Sequence, residues 1–397
     1  MLISPNVAMV KPSITLAVSA KAKAMKDEGI DVIALSAGEP DFNTPDHICQ
    51  AGIDAINNGI TRYTPASGTM ELKMAVCDKF KNDNGLDYKP SQVMINCGAK
   101  HSVFLTVFAL TGEGDEVIVP APYWVSYYDM VKLAGGKPIV IEAKSENDLK
   151  ITPEQLRNAI TDKTKLLILN SPSNPTGMVY SEDELKALAD VIVEAGIYVL
   201  SDEIYEKLTY DGKKHVSIAS LSDEIYNKTI TINGVSKSYS MTGWRIGYAG
   251  GPQEIIKAMS TVQSQETSNP CSISQKAALA ALTGSQEFLK SWVSEFSERR
   301  LYLIDRLNSL DGVSCKTPEG AFYVFPDVSA IYGKSYKGKV IDDSVSFCDY
   351  MLQEQHIALV PGAGFGADAH VRLSYAVSME NIKESIDRFE KGLKALD

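Results

Sequence analysis

A lysine followed eight residues later by an arginine, in Ser236-Lys237-Ser238-Tyr239-Ser240-Met241-Thr242-Gly243-Trp244-Arg245, is a pairing with chemical meaning. Among small hydroxyl residues, desolvation and cationic neighbours lower an ammonium's pKa and turn Lys237 into a nucleophilic amine for an aldehyde. Arg245 offers a planar fork for an anion with several oxygens. Asp202, in the run VLSDEIY, is costly to bury unless a cation or a donor meets it. A protonated ring nitrogen would be such a partner, and the phenol of Tyr205 can donate to an oxygen on the same ring. Each residue alone has a plainer reading, a solvated lysine or an exposed loop acid.

Two further runs belong with these. Gly98-Ala99-Lys100 precedes a helical stretch reaching Leu110, and free amides at a helix start suit a phosphate. Asn174 sits in SPSNPTG, where two prolines and a glycine fix the backbone around its amide. The chain contains neither a G-x-x-x-x-G-K-[ST] loop nor a G-x-G-x-x-G fingerprint, which argues against nucleoside triphosphates and dinucleotides.

These residues need elements to hold them. From about Asp46 to Gly284 short apolar strands alternate with amphipathic helices, the pattern of a three-layer α/β/α domain with a mostly parallel sheet. Strands are expected at Val93 to Asn96, Glu116 to Pro120, Pro138 to Glu142, Lys165 to Asn170, Ile197 to Ser201, Thr229 to Asn233 and Ile246 to Gly250. Ligands of open α/β sheets sit outside the carboxyl ends of the strands, and Gly98 to Lys100, Asn174, Asp202, Tyr205, Ser236 and Lys237 all follow such ends. After Gly284 a long helix carries Phe288, Trp292, Phe296, Leu303, Leu307 and Leu310 on one stripe. Strands at Ala321 to Phe325 and Val371 to Ala376, and a closing helix with Ile382, Ile386, Phe389 and Leu393, complete a smaller α+β domain. With 397 residues, two domains are the natural expectation: 46–284 as the large one, 285–397 as the small one, and 1–45 as a segment belonging to the small one.

Bulk properties narrow the function. A net charge of -11 opposes general nucleic-acid binding, and YGKSYKGK (332–339) reads as a solvated loop. Six scattered cysteines without a C-x-x-C pair, and only five histidines, suggest neither a disulfide framework nor a metal site. The apolar stretch Ile14 to Ala20 reads as part of a helix starting at Pro12 and Ser13 and ending near Gly29, with no run of the roughly 18 apolar residues a membrane span needs. A cytoplasmic protein without a membrane partner is expected.

SPSNPTG, SDEIY and SKSYSMTGWRIGY, in this order and spacing, resemble the class I aminotransferases among the fold type I pyridoxal-phosphate enzymes. The likeness runs from KPSITLAVSAKA and AGEPDFNTP, through RYTPASG and APYWVSY, to GAFYVF, ALVPG and VRLSYA. It is nearest to the bacterial-type aspartate branch, some of whose members also use prephenate. The resemblance implies that Lys237 binds pyridoxal phosphate as a Schiff base and shuttles the substrate's proton, while Asp202 keeps the ring nitrogen protonated. It implies Tyr205 and Asn174 at the ring's phenolic oxygen and Trp124 against the ring face. The phosphate is expected at Gly98, the amides of Ala99 and Lys100, Ser236, Arg245, and Tyr63 from a second subunit of a homodimer with shared sites. For the amino-acid and 2-oxo-acid substrates it implies Arg372 at the α-carboxylate with Gly38, Asn174 and Trp124 beside it, and Lys100 with Thr15 at a distal carboxylate. The expected reaction is a ping-pong transfer from aspartate to 2-oxoglutarate; an aromatic or prephenate aminotransferase, or a β-lyase on the same scaffold, is the alternative. Two departures stand out: the turn reads GAK where the family has GGK, and Ile14 separates Ser13 from Thr15.

Overall fold

The computed structural model of the chain describes residues 3–397. Seven strands form one sheet: β1 Val93–Asn96, β2 Glu116–Ala121, β3 Lys137–Glu142, β4 Thr164–Asn170, β5 Tyr198–Asp202, β6 Thr229–Gly234 and β7 Gly247–Gly250. Each of the seven strands expected for this sheet is present, with ends shifted by at most one residue. Their spatial order is β1-β7-β6-β5-β4-β2-β3. β1, β6 and β7 are buried along their whole length, as near-continuous apolar runs must be when helices cover both faces of a sheet.

One strand departs from the parallel rule. β7 runs antiparallel to both β1 and β6, so Gly247 at its start pairs with Asn96 and Gly234 at their ends. Arg245, just ahead of that start, is thereby delivered to the edge that the parallel strands reach with their carboxyl ends. Gly247 has a second duty, because a Cβ there would lie 2.2 Å from the Ala99 amide nitrogen. Only glycine lets the start of the helix Ala99–Leu110 rest on the sheet at this point.

A separate apolar cluster gathers the chain's two ends. Ile33 and Leu35 pack with Phe296, Leu303, Leu307, Ile357, Ile382, Ile386 and Phe389. The stripe foreseen on the long helix is real: Phe288–Asn308 buries Phe296, Leu303 and Leu307. The closing helix Met379–Lys394 buries Ile382, Ile386 and Phe389, spaced for one face. Ile33–Ala34 pairs parallel with Ile357–Ala358. A three-stranded antiparallel sheet has Val371–Ser374 between Tyr323–Val324 and Val360–Pro361, so both expected strands are present but shorter. The stretch 332–339 is not wholly a loop, since Ser335–Tyr336 and Lys339–Val340 close a small antiparallel ribbon.

The N-terminal helix spans Ile14–Asp27. Among the described residues no helix is long and apolar enough to cross a membrane.

Candidate active site

A cleft of about 750 Å³ opens at the ligand edge of the large sheet. Its wall brings together Thr15, Gly38, Ala99, Lys100, Trp124, Asn174, Asp202, Tyr205, Ser236, Lys237, Arg245 and Arg372. Gly98 lies beneath it at a φ of 86°, and a Cβ there would come within 2.5 Å of the Arg245 guanidinium. Tyr63 is elsewhere, 91% exposed and outside the wall.

Asp202 ends β5 and is only 4% exposed. Burial pushes its carboxyl up to about 6, although the Tyr127 hydroxyl donates to it at 2.6 Å and the Ile204 amide at 3.3 Å. Such an acid is held ready for a cation that would repay its desolvation. Lys237, on the turn after β6, donates to the Gly38 carbonyl. Burial brings its ammonium down to about 8; Glu39 opposes that shift, while Arg372 and Arg245 add to it. A useful fraction of free amine near neutral pH is what a lysine nucleophile requires.

One end of the cleft gathers amides and one arginine, donors of the kind that suit a phosphate. The helix starting at Ala99 leaves its first N–H groups without intrahelical partners, and they converge with Ser236 and Arg245. Arg245 donates to the Thr242 carbonyl at 2.8 Å, which holds its fork over Gly98. The Lys100 ammonium lies 4.8 Å from the centre of the Trp124 ring.

Arg372, only 2% exposed, projects from the small sheet. It donates to Asn174 Oδ1 at 3.0 Å and to the Ser36 carbonyl at 2.7 Å. Its guanidinium is sandwiched between the rings of Tyr323 and Phe365, 4.5 and 5.3 Å from their centres. Its Nε is buried with no partner among the described residues. A buried, flat, incompletely paired fork facing a cleft suits a carboxylate. Asn174 is held in turn, its backbone N–H donating to Asn170 Oδ1 at 2.8 Å.

Several wall residues were not singled out from the sequence. Tyr127, the donor to Asp202, sits 75 residues from it, and only its place one turn after Trp124 hinted at a role. Asn170, the polar end of the apolar run KLLILN, carried a clearer signal: its side chain bonds the Asp202 carbonyl at 2.9 Å. Glu39, Ser19, Lys23 and Tyr323 also line the cleft. Behind Asp202 lies a buried charge cluster of Glu203, Glu206 and His215, close enough to share an ion. Lys79, paired with Glu206, already supplies a cation there, and the Ser217 and Ser201 hydroxyls satisfy Glu203.

Comparisons with known proteins agree with this geometry. The family described as aminotransferase class I and II matches residues 30–389. The chain is 51% identical to an aspartate aminotransferase of Bacillus subtilis and 49% identical to an aspartate/prephenate aminotransferase of Cereibacter sphaeroides, each match covering 98% of both chains. The crystal structure of the aspartate aminotransferase from Rhizobium meliloti superposes with a TM-score of 0.96 at 45% identity, covering 100% of both chains. The chain therefore belongs to the class I and II aminotransferases, enzymes that work with pyridoxal phosphate.

Proposed function

We propose that the enzyme moves an amino group between aspartate and 2-oxoglutarate, with Lys237, Asp202 and Arg372 as its central residues. The observation that carries this reading is Arg372, a buried guanidinium that lines the same cleft as the Lys237 amine. Every amino acid and 2-oxo acid presents a carboxylate to such a group.

The residues fit the cofactor. Asp202 is a buried acid lacking a cation, Tyr205 is a buried phenol, and Arg245, Ser236 and the amides of Ala99 and Lys100 form a phosphate cradle. Asn174 and Trp124 complete the ring's surroundings. When bound, pyridoxal phosphate supplies a carbonyl that captures the amino group and a ring that drains charge from the substrate's Cα. The chain's residues do the rest. Arg372 fixes the α-carboxylate, which orients the Cα–H bond toward Lys237. Lys237 Nζ takes the Cα proton, and in the return half-reaction it gives a proton to the former carbonyl carbon of the oxo acid, which becomes the Cα of the new amino acid. Asp202 stays anionic and keeps a proton on the nitrogen opposite it. The helix Ile14–Asp27 forms one wall with Thr15 and Ser19, a barrier to water over the reacting atoms.

Lys100 and Thr15 provide for a second carboxylate, the feature that separates aspartate and glutamate from other amino acids. Ile14 packs with Val125 beside Gly364 and is not among the residues of the cleft wall, which supports leaving it out of that end. Prephenate, which also has two carboxylates, is the second reading, favoured by the Cereibacter relative's name. We read residues 46–284 and 285–397, the latter with 1–45, as two domains meeting at the cleft. A homodimer is supported by Tyr63, which is 91% exposed and off its own cleft wall and so can be lent to a second copy. Six free cysteines fit a reducing, cytoplasmic setting.

Single-turnover rates with aspartate, glutamate, alanine, phenylalanine and arogenate test the assignment. Aspartate and glutamate should be fastest; rates no better than alanine would remove Lys100 and Thr15 from the distal site. Ammonia and pyruvate released without an acceptor would identify a lyase instead.

A further inference from the structure

Tyr323 stands where three functional groups meet. Its strand pairs with Val371–Ser374, which places Tyr323 opposite Ser374 and beside the strand carrying Arg372. Its ring lies 4.5 Å under the Arg372 guanidinium. Its hydroxyl shares a hydrogen bond of 2.9 Å with the hydroxyl of Tyr205. The same hydroxyl would lie 3.1 Å from a Cβ on Gly38, the residue whose carbonyl receives Lys237. Both phenols are buried, so each hydroxyl must find a protein or ligand partner.

We propose that Tyr323 is a positioning residue coupling the two halves of the site: its hydroxyl sets the direction in which Tyr205 donates, and its ring holds Arg372 flat for the substrate carboxylate. This rests on the aminotransferase reading and deepens it. A hydroxyl has one proton to give. When Tyr323 donates to Tyr205, the proton of Tyr205 is free to point into the cleft, toward the cofactor's ring oxygen. A donor that itself accepts a hydrogen bond is polarised and donates more strongly. On the other side, a guanidinium between two aromatic faces keeps its plane without spending its N–H groups, which stay available to a carboxylate. The π-faces of Tyr323 and Phe365 do this where further acids would compete with the substrate.

The two halves separate experimentally because one depends on the oxygen and the other on the ring. In the holoenzyme, Tyr323→Phe should leave maleate, an unreactive dicarboxylate, bound within about threefold of wild type. It should raise the apparent pKa read from the cofactor's visible absorbance by about half a unit, because a weaker donor at the ring oxygen makes the nearby proton harder to lose. Tyr323→Leu should weaken maleate about tenfold or more. If the leucine variant does not fold, Tyr323→Met serves for the carboxylate half. An unchanged absorbance pKa in folded Tyr323→Phe, or wild-type maleate affinity without the ring, overturns the proposal. A wild-type protein showing no visible band with pyridoxal phosphate would instead undo the functional reading beneath it.

Discussion

The two ends of the cleft are built in different ways. At the sheet end Asp202, Tyr205 and Arg372 are buried, and each is held by partners from distant parts of the chain. At the mouth Lys100 is exposed over Trp124, and the Thr15 hydroxyl's one hydrogen bond among the described residues is to Ser13, at 2.8 Å. A preorganised end costs its residues solvation in advance and spends no binding energy on ordering them when substrate arrives. The open end is cheap to build and cheap to change. The reaction should therefore be stubborn, and the choice of substrate malleable.

That contrast ranks the expected effects of mutation. Lys237→Ala removes both the nucleophile and the proton carrier, and turnover should fall about 10⁴-fold, at the top of the range for a general acid–base group. A pH series sharpens the claim. With its ammonium brought down to about 8, Lys237 should react with added pyridoxal phosphate faster as pH rises, levelling off above about 8. The sign follows because only the unprotonated amine attacks. A rate flat from pH 6 to 9 would mean that the amine is not the reacting group.

Arg372→Leu comes next. Truncating one partner of a buried charged pair costs about 2–5 kcal/mol, and the loss should appear in kcat/KM for every amino acid, because all share the α-carboxylate. An effect confined to dicarboxylic substrates would place Arg372 at the wrong carboxylate.

Much of the preorganised end was legible in the sequence, for a definite reason. Asp202, Asn174, Ser236 and Lys237 lie within a few residues of strand ends, and strands buried on both faces announce themselves as apolar runs. What stayed hidden are the partners. Tyr127 finds Asp202 across 75 residues and Tyr323 finds Tyr205 across 118; such pairings depend on how the sheet orders its strands, which local patterns do not encode. The reversed direction of β7 was hidden for the same reason, since Gly247–Gly250 reads alike in either orientation. The ribbon at 335–340 has only two residues per strand, too few for an alternation to show.

At the open end Lys100→Gln should lower kcat/KM for aspartate and glutamate about tenfold or more, the worth of a charge-assisted hydrogen bond, while alanine and phenylalanine change little. The ratio between substrate classes is the measurement that matters. A uniform loss would mean that Lys100 serves the phosphate cradle with its charge and not the distal carboxylate, which would erase the division between the two ends.

Thr15→Val is the gentlest probe. The substitution keeps the side chain's shape and deletes one hydroxyl, whose only partner among the described residues is the part-buried hydroxyl of Ser13. A neutral hydrogen bond is worth about 0.5–1.5 kcal/mol, so aspartate should lose about two- to tenfold in kcat/KM, with alanine as the internal control. Because the helix Ile14–Asp27 also lines the cleft, a second outcome is informative. If the variant slows alanine as much as aspartate, Thr15 matters for holding the wall in place and not for reading the substrate. The N-terminal helix would then belong with the rigid machinery of the sheet end, and selectivity would rest on Lys100 alone.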